Sequence, residues 1–242
     1  MDHHRPVIAV VIPAFNEEKA ISAVVGNVSA SLQRLDVEGH IIVVDDGSSD
    51  GTADMVRRLP CILLPLPFNL GIGAAVQLGF QYARFLGCDA AVQVDGDGQH
   101  PASEIGRLLE PILHDTADVV IGSRFLSQGG SRSTLGRRMG IRYFNALQGL
   151  LIGRRITDST SGFRALHRRA FEACAERYPD QYPEPEAIIS FTKMHLRITE
   201  VPVLMNDRQG GRSSITLFAG LVYMMKVSLA MLFAVLRTHQ EG

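Results

Sequence analysis

Asp95 and Asp97 stand either side of one glycine, just after the apolar run at 89–94 (DAAVQV). Two carboxylates that close repel each other unless a cation lies between them, and hard divalent ions take oxygen ligands from a few carboxylates plus substrate phosphates. Asp95, Asp97 and Gln99, whose amide adds a neutral oxygen, are the expected ligands of such an ion. Gly96 and Gly98 are read as leaving room for a large ligand. A second acidic pair, Asp45 and Asp46, follows the apolar run IIVV at 41–44. Asp46 is read as a ligand contact, accepting from a base N–H or a sugar hydroxyl, and Asp45 as structural. Ser48, Ser49 and Asp50 have the chemistry of turn and N-cap residues. Two more polar clusters, PAFNEE at 13–18 and GSRF at 122–125, also follow apolar runs.

These clusters need a scaffold that brings strand ends together. VIAVVI at 7–12, IIVV at 41–44, CILLPL at 61–66, residues 89–94 and DVVI at 118–121 read as buried strands. Helical spacing lies between them, at 17–34, through Met55 and Leu59, at 70–86, and after Pro101. Alternating strands and helices imply a mostly parallel sheet covered on both faces, with ligands at the carboxyl ends of the strands. Beyond Gly122 a polar loop leads to a helix around 139–152, a turn into a short strand at DSTSGFRALHR, a helix at 184–195, an extended run at 197–204 and a flexible loop, NDRQGGRSS. Pro202 marks that extended run as a sheet edge.

No GxGxxG follows the first strand, and the chain has no GxxxxGK[ST] and no GxSxG. A dinucleotide-binding Rossmann protein, a P-loop NTPase and an α/β-hydrolase are therefore disfavoured. A sugar nucleotidyltransferase would need a Gly-rich basic loop where this chain has the acidic PAFNEE. The net charge of −1 conceals a division. Residues 1–121 carry 7 Lys and Arg against 16 Asp and Glu, and residues 122–242 carry 17 against 9. That is no uniform basic coat, so no nucleic-acid partner is expected. It fits a site meeting a cation on one side and anions on the other. Three isolated cysteines, Cys61, Cys88 and Cys174, and an N-terminus without a signal-peptide apolar core point to a reducing, cytoplasmic setting.

Taken in order, PAFNEE, VVDDGSSDGT, NLGIGAA, VQVDGDGQHP, GSRF and DSTSGFR resemble the family 2 glycosyltransferases of GT-A fold, and within them the dolichyl- or polyprenyl-phosphate sugar synthases. The resemblance implies an inverting glycosyltransferase. It would move a sugar from a UDP-, GDP- or dTDP-linked donor to a polyprenyl phosphate, with Mg2+ or Mn2+ as cofactor. It also assigns residues. Asp95, Asp97 and Gln99 would form the metal and diphosphate site, and Pro13, Phe15, Glu17, Asp46 and Asn69 would contact the nucleotide. Arg124 and Arg138 would hold the acceptor phosphate, with Glu186 on the acceptor side, and Arg164 and Arg208 would lie near the donor diphosphate or closing loop. Asp97, Arg124 and Asp158 are the expected catalytic residues.

A sugar-hydroxyl acceptor on a lipid-linked or cell-surface polysaccharide would need a general base, for which Asp158 and Glu186 are the candidates. In their alternative roles Asp158 orients Arg164 or contacts the sugar, and Glu186 pairs with an arginine. A non-catalytic alternative is a nucleotide-binding scaffold for a membrane partner. Ile72 departs from the pattern, since relatives often have Lys or Arg there.

The expected organisation is a catalytic domain at 1–214, with a nucleotide and metal half at 7–121 and an acceptor half at 122–214, followed by an apolar helix and tail at 215–242. Residues 215–236 contain one charge, Lys226. Three readings stand open for this helix. It lies on the inner face of the cell membrane or packs against a small membrane protein; it is buried or joins a homo-oligomer; or it spans the bilayer at the cost of a central lysine.

Overall fold

The computed structural model describes residues 5–126, 135–179, 183–206 and 217–237, with backbone alone for 135–141, 217–224 and 237. Seven strands form one sheet: β1 Val7–Ala14, β2 Glu38–Asp45, β3 Ile62–Pro65, β4 Ala90–Gln93, β5 Val119–Ser123, β6 Arg164–His167 and β7 Ile198–Pro202. Their order is β3-β2-β1-β4-β6-β5-β7. Every pairing is parallel except those of β6, which runs antiparallel to both β4 and β5. Pro202 ends the edge strand β7, where its missing N–H breaks no interior ladder.

The helices are α1 Ile21–Leu32, α2 Thr52–Val56, α3 Ile72–Phe85, α4 Ile105–Leu113, α5 Leu135–Ile152, α6 Arg168–Glu176, α7 Pro183–Lys193 and α8 Leu217–Arg237. The two-residue period of β1 divides the core. Ile8, Val10 and Ile12 pack with α1 and α4 on one face, and Ala9 and Val11 pack with α3, α6 and α7 on the other. All five are fully buried, as the unbroken apolar run requires. α3 presses on β1 so closely that a methyl group at Gly79 would lie 2.2 Å from Val11 Cγ1. The three cysteines are free.

α8 packs on α5 and α7 through Val227 and Met231, which are buried with Phe144 and Ile189. Its other side leaves Met225, Leu229, Leu232, Phe233 and Leu236 exposed. Lys193 caps the end of α8, donating to the Ala234 and Val235 carbonyls. Among the described residues no helix is long and apolar enough to cross a membrane; part of the segment 215–236 lies outside them.

Candidate active site

A cleft of about 370 Å3 opens at the carboxyl ends of β1, β2 and β4. Pro13, Phe15, Glu17, Asp46, Asn69, Asp95 and Asp97 all line it, so seven of the expected site residues converge. Ile72 lines it too, with its apolar side chain in the place where a basic one was noted as missing. A larger groove, of about 500 Å3, lies between α5 and α8. Its lining residues, among them Tyr143, Leu147, Leu229 and Leu232, carry no charge, and the chemistry-bearing groups lie in the smaller cleft.

Two loops build one wall of the cleft by gripping each other. Asn16 holds a positive φ of 56°. Its N–H donates to Ser48 Oγ, and its side-chain oxygen accepts from the Ser49 N–H, each at 2.9 Å. Thr52 Oγ1 accepts from the Glu17 N–H at 2.9 Å. Asp46 is buried; its Oδ1 accepts from Leu70 N–H at 2.7 Å and its Oδ2 from Gly71 N–H at 3.0 Å. Asp46 therefore ties the NLG segment to the sheet, and each oxygen keeps a lone pair for a ligand. Asp45 is also buried, with Oδ1 unpartnered among the described residues.

The acidic loop after β4 is held from below. His100 Nδ1 accepts from the Asp95 N–H at 3.0 Å, so the ring proton sits on Nε2, 3.5 Å from Asp95 Oδ2. The imidazole stacks on Phe163 at 4.8 Å between centroids. Asp95 Oδ1 is buried with no partner among the described residues. Asp97 accepts from the Gln99 N–H at 3.0 Å and from the Gln99 side-chain amide. Gln99 thus supports Asp97, and its amide nitrogen faces the acid. The glycines answer backbone needs as well as ligand room: Gly98 takes φ 78°, and a methyl group on Gly96 would come 3.0 Å from the Pro13 carbonyl oxygen.

Among the described residues no group of three or more His, Cys, Asp and Glu is gathered as a protein-only metal cage. Two carboxylates, Asp95 and Asp97, face the cleft, and one oxygen of Asp95 is buried without a partner among the described residues, a set of oxygen donors short of a complete protein cage.

The arginines divide. Arg124 is mostly buried and bound by Asp158: its backbone N–H and Nε donate to Oδ2 at 3.1 and 2.8 Å, and Nη2 donates to Oδ1 at 2.7 Å. Burial works against the Arg124 charge, but the hydrogen bonds and charge of Asp158, with Asp95 adding, hold its pKa above the ordinary value. Asp158 is fully buried and orients Arg124, not the expected Arg164. With its carboxylate spent on that pair, it is not presented as a base.

Arg164 is 1% exposed and lies off the cleft, with Nε and Nη2 donating to the carbonyls of Ser161 and Ser159. Its Nη1, like both amide atoms of neighbouring Gln93, has no partner among the described residues. Neither Glu186 nor Glu184, both on α7, lines the cleft, but Glu184 lies close behind Asp95. A methyl group at Gly162 would sit 3.4 Å from Asp95 Oδ1 and 3.7 Å from Glu184 Oε1. Burial pushes the Glu184 carboxyl up, and Arg164 counters in part. Arg208 and the Arg138 side chain fall outside the described residues. Asn206, where the preceding described segment ends, donates from its backbone N–H to the Gln99 carbonyl at 2.9 Å.

Gln93, His100, Glu184 and Glu200 are site neighbours that sequence reasoning missed. A glutamine inside a buried strand was the signal for Gln93. Glu184 shares the segment YPEPEAII with Glu186, and sequence does not say which faces in.

The cleft, the acidic loop and the sheet order are those of a nucleotide-sugar transferase scaffold. The profile described as Glycosyl transferase family 2 matches residues 9–174, and the chain belongs to that family and is a glycosyltransferase. It is 34% identical over 217 residues to the UDP-N-acetylglucosamine–dolichyl-phosphate N-acetylglucosaminyltransferase of Methanococcus voltae, covering 81% of this chain and 84% of that one. It is 29% identical over 218 residues to the undecaprenyl-phosphate mannosyltransferase of Micrococcus luteus, covering 86% and 87%. The polyprenol monophosphomannose synthase of Mycolicibacterium smegmatis is 34% identical over 170 residues, covering 67% and 62%. In fold, it superposes on glucosyl-3-phosphoglycerate synthase of Mycobacterium tuberculosis, crystallised with Mn2+, UDP and glucosyl-3-phosphoglycerate. That match has a TM-score of 0.68 at 22% identity and covers 95% of this chain and 80% of the other.

Proposed function

We propose that this glycosyltransferase moves a sugar from a nucleotide sugar to the phosphate of a polyprenyl phosphate, with inversion, at the cytoplasmic face of the membrane. The observation that carries the reading is the cleft. It joins the nucleotide-side residues Pro13, Phe15, Glu17, Asp46 and Asn69 to the acidic pair Asp95 and Asp97. The names of the relatives, transferases to dolichyl, undecaprenyl and polyprenol phosphates, support the acceptor class.

Asp95 and Asp97 would hold a divalent cation, Mg2+ or Mn2+, which when bound supplies positive charge to the departing diphosphate. The Mn2+ and UDP in the mycobacterial structure support this. Arg124, fixed by Asp158, would steady the acceptor phosphate as its oxygen bonds to the anomeric carbon and the bond to the donor diphosphate breaks. The burial of Asp158 in that pair favours a phosphate over a hydroxyl acceptor. A phosphate is already an anion and needs no base, and Asp158 is not free to be one.

The membrane assignment rests on α5 and α8. Their exposed apolar side chains, with Arg142 and Lys226 exposed beside them, are those of a surface that lies in a lipid interface. Residues 1–214 would be the catalytic unit and 215–242 the docking element.

A radiolabelled sugar-nucleotide assay with lipid extract tests the reaction. A lipid product cleaved by mild acid is expected, as for a glycosyl phosphate. A product stable to mild acid would indicate a hydroxyl acceptor and overturn the reading. Nucleotide binding with no turnover on any UDP-, GDP- or dTDP-sugar would leave the scaffold alternative.

A further inference from the structure

We propose that Glu200, on the edge strand β7, is a positioning residue for Arg124. It fixes the loop whose carboxylate aims the guanidinium. This rests on the reading of Arg124 as the acceptor-phosphate residue.

Glu200 lies opposite Ile121 of β5, three residues before Arg124. Its hydrogen bonds among the described residues go to one loop. Its Oε2 accepts from the Thr157 N–H at 2.8 Å, and its Oε1 accepts from Thr157 Oγ1 at 2.8 Å and from the Asp158 N–H at 2.9 Å. A carboxylate can only accept, so the Thr157 hydroxyl proton points to Glu200. Ser123 Oγ, 2.8 Å from Thr157 Oγ1, must then be the donor to it. The residue just before Arg124 is thereby tied to the same chain. From the other side, Asn145 of α5 donates to the Thr157 carbonyl and accepts from Ser159 Oγ. The loop is held at every polar backbone group around Asp158, and Asp158 in turn binds Arg124 by three hydrogen bonds.

Without Glu200, two buried-side N–H groups and a hydroxyl lose their acceptor, and the Asp158 backbone is released. Asp158 then carries a negative charge into a site with no fixed aim, and the guanidinium follows it. The nucleotide residues sit across the sheet on the ends of β1, β2 and β4 and share none of these bonds. Loss of Glu200 is thus expected to act on the acceptor side alone.

The test is a double-mutant cycle read by binding. Farnesyl phosphate serves as the soluble acceptor probe and UDP with Mn2+ as the donor-side probe, against wild type, Glu200→Ala, Glu200→Gln, Arg124→Ala and Glu200→Ala with Arg124→Ala. Glu200→Ala is expected to weaken farnesyl phosphate binding by about tenfold and UDP by less than about twofold. Glu200→Gln should recover part of the loss, since one oxygen still accepts. In the Arg124→Ala background, adding Glu200→Ala should change acceptor affinity by less than about twofold, because the route to the ligand is already gone.

Additive losses, or equal losses for both probes, would overturn the positioning role. An Arg124→Ala variant that binds farnesyl phosphate as well as wild type would instead sink the reading of Arg124 itself. If Glu200→Ala does not fold, Thr157→Val, which removes only the hydroxyl between Ser123 and Glu200, must still weaken the acceptor more than UDP; no such difference would refute the proposal.

Discussion

Asp97→Ala is expected to abolish cation-dependent turnover, by about 10^3-fold or more, while leaving the fold intact. The side chain lines an open cleft and accepts from Gln99, two residues on. Turnover with Mg2+ and with Mn2+, alongside the thermal midpoint, checks both halves; unchanged activity would remove Asp97 from the metal site. That the acidic pairs and the cluster at 13–18 converge was legible in the sequence because each follows an apolar strand, and parallel sheets bring such ends together; the individual nucleotide contacts were implied only by the family resemblance. The supporting residues were not legible. Periodicity tells which face a side chain takes but not which partner it meets there. Asp158 lies six residues before Arg164 in sequence, yet pairs with Arg124, 34 residues back, because β6 runs back along β5. Glu200 reads as an ordinary strand-surface carboxylate until the loop at 157–158 is seen folded over it.

Strands and helices tell a similar story. The five strands up to Ser123 were legible as apolar, β-branched runs, and β7 as an edge from Pro202. α6 was missed, because RRAFEACAE is short, carries four charges and shows one apolar turn. Only its packing reveals it, with Phe171 buried against Phe80 of α3. The edge strand that bears Glu200 is tied to β5 by Arg197, whose N–H and guanidinium donate to Asp118. Those hydrogen bonds hold the Asp118 carboxyl below its ordinary value of 3.8, against the opposing effect of burial. A depressed folded-state value means that the stabilisation is complete above that ordinary value and is lost as pH falls through the folded one. Asp118→Asn should therefore lower the thermal midpoint at neutral pH and shrink its fall on acidification below about pH 4. Midpoints taken from pH 7 to pH 2 would show this, and parallel curves for the two proteins would exclude it.

Across the whole molecule, the division of charge between the two halves of the chain matches the proposed metal-and-nucleotide cleft, built from early residues, and arginines supplied by later ones. Many of those arginines have other duties, Arg164 and Arg197 among them. If α8 docks on lipid, Leu232→Glu with Phe233→Glu should cut co-flotation with anionic vesicles by about tenfold or more and leave UDP binding unchanged. Equal flotation of variant and wild type would show that the exposed face does not meet lipid. The insertion of β6 between β4 and β5 also dictates when the site can exist. Asp95 follows β4 and Arg124 follows β5, but those strands do not touch; only β6 sets the distance between them. A chain emerging from the ribosome carries a four-stranded piece of sheet and a lone strand, β5, until residue 167 is free. Until then β4 presents an open ladder edge, the stage at which such a chain is most exposed to aggregation. The ends of β4 and β5 thus come into register only once β6 is in place, and the loop that binds Arg124 is completed later still, by Glu200 of β7.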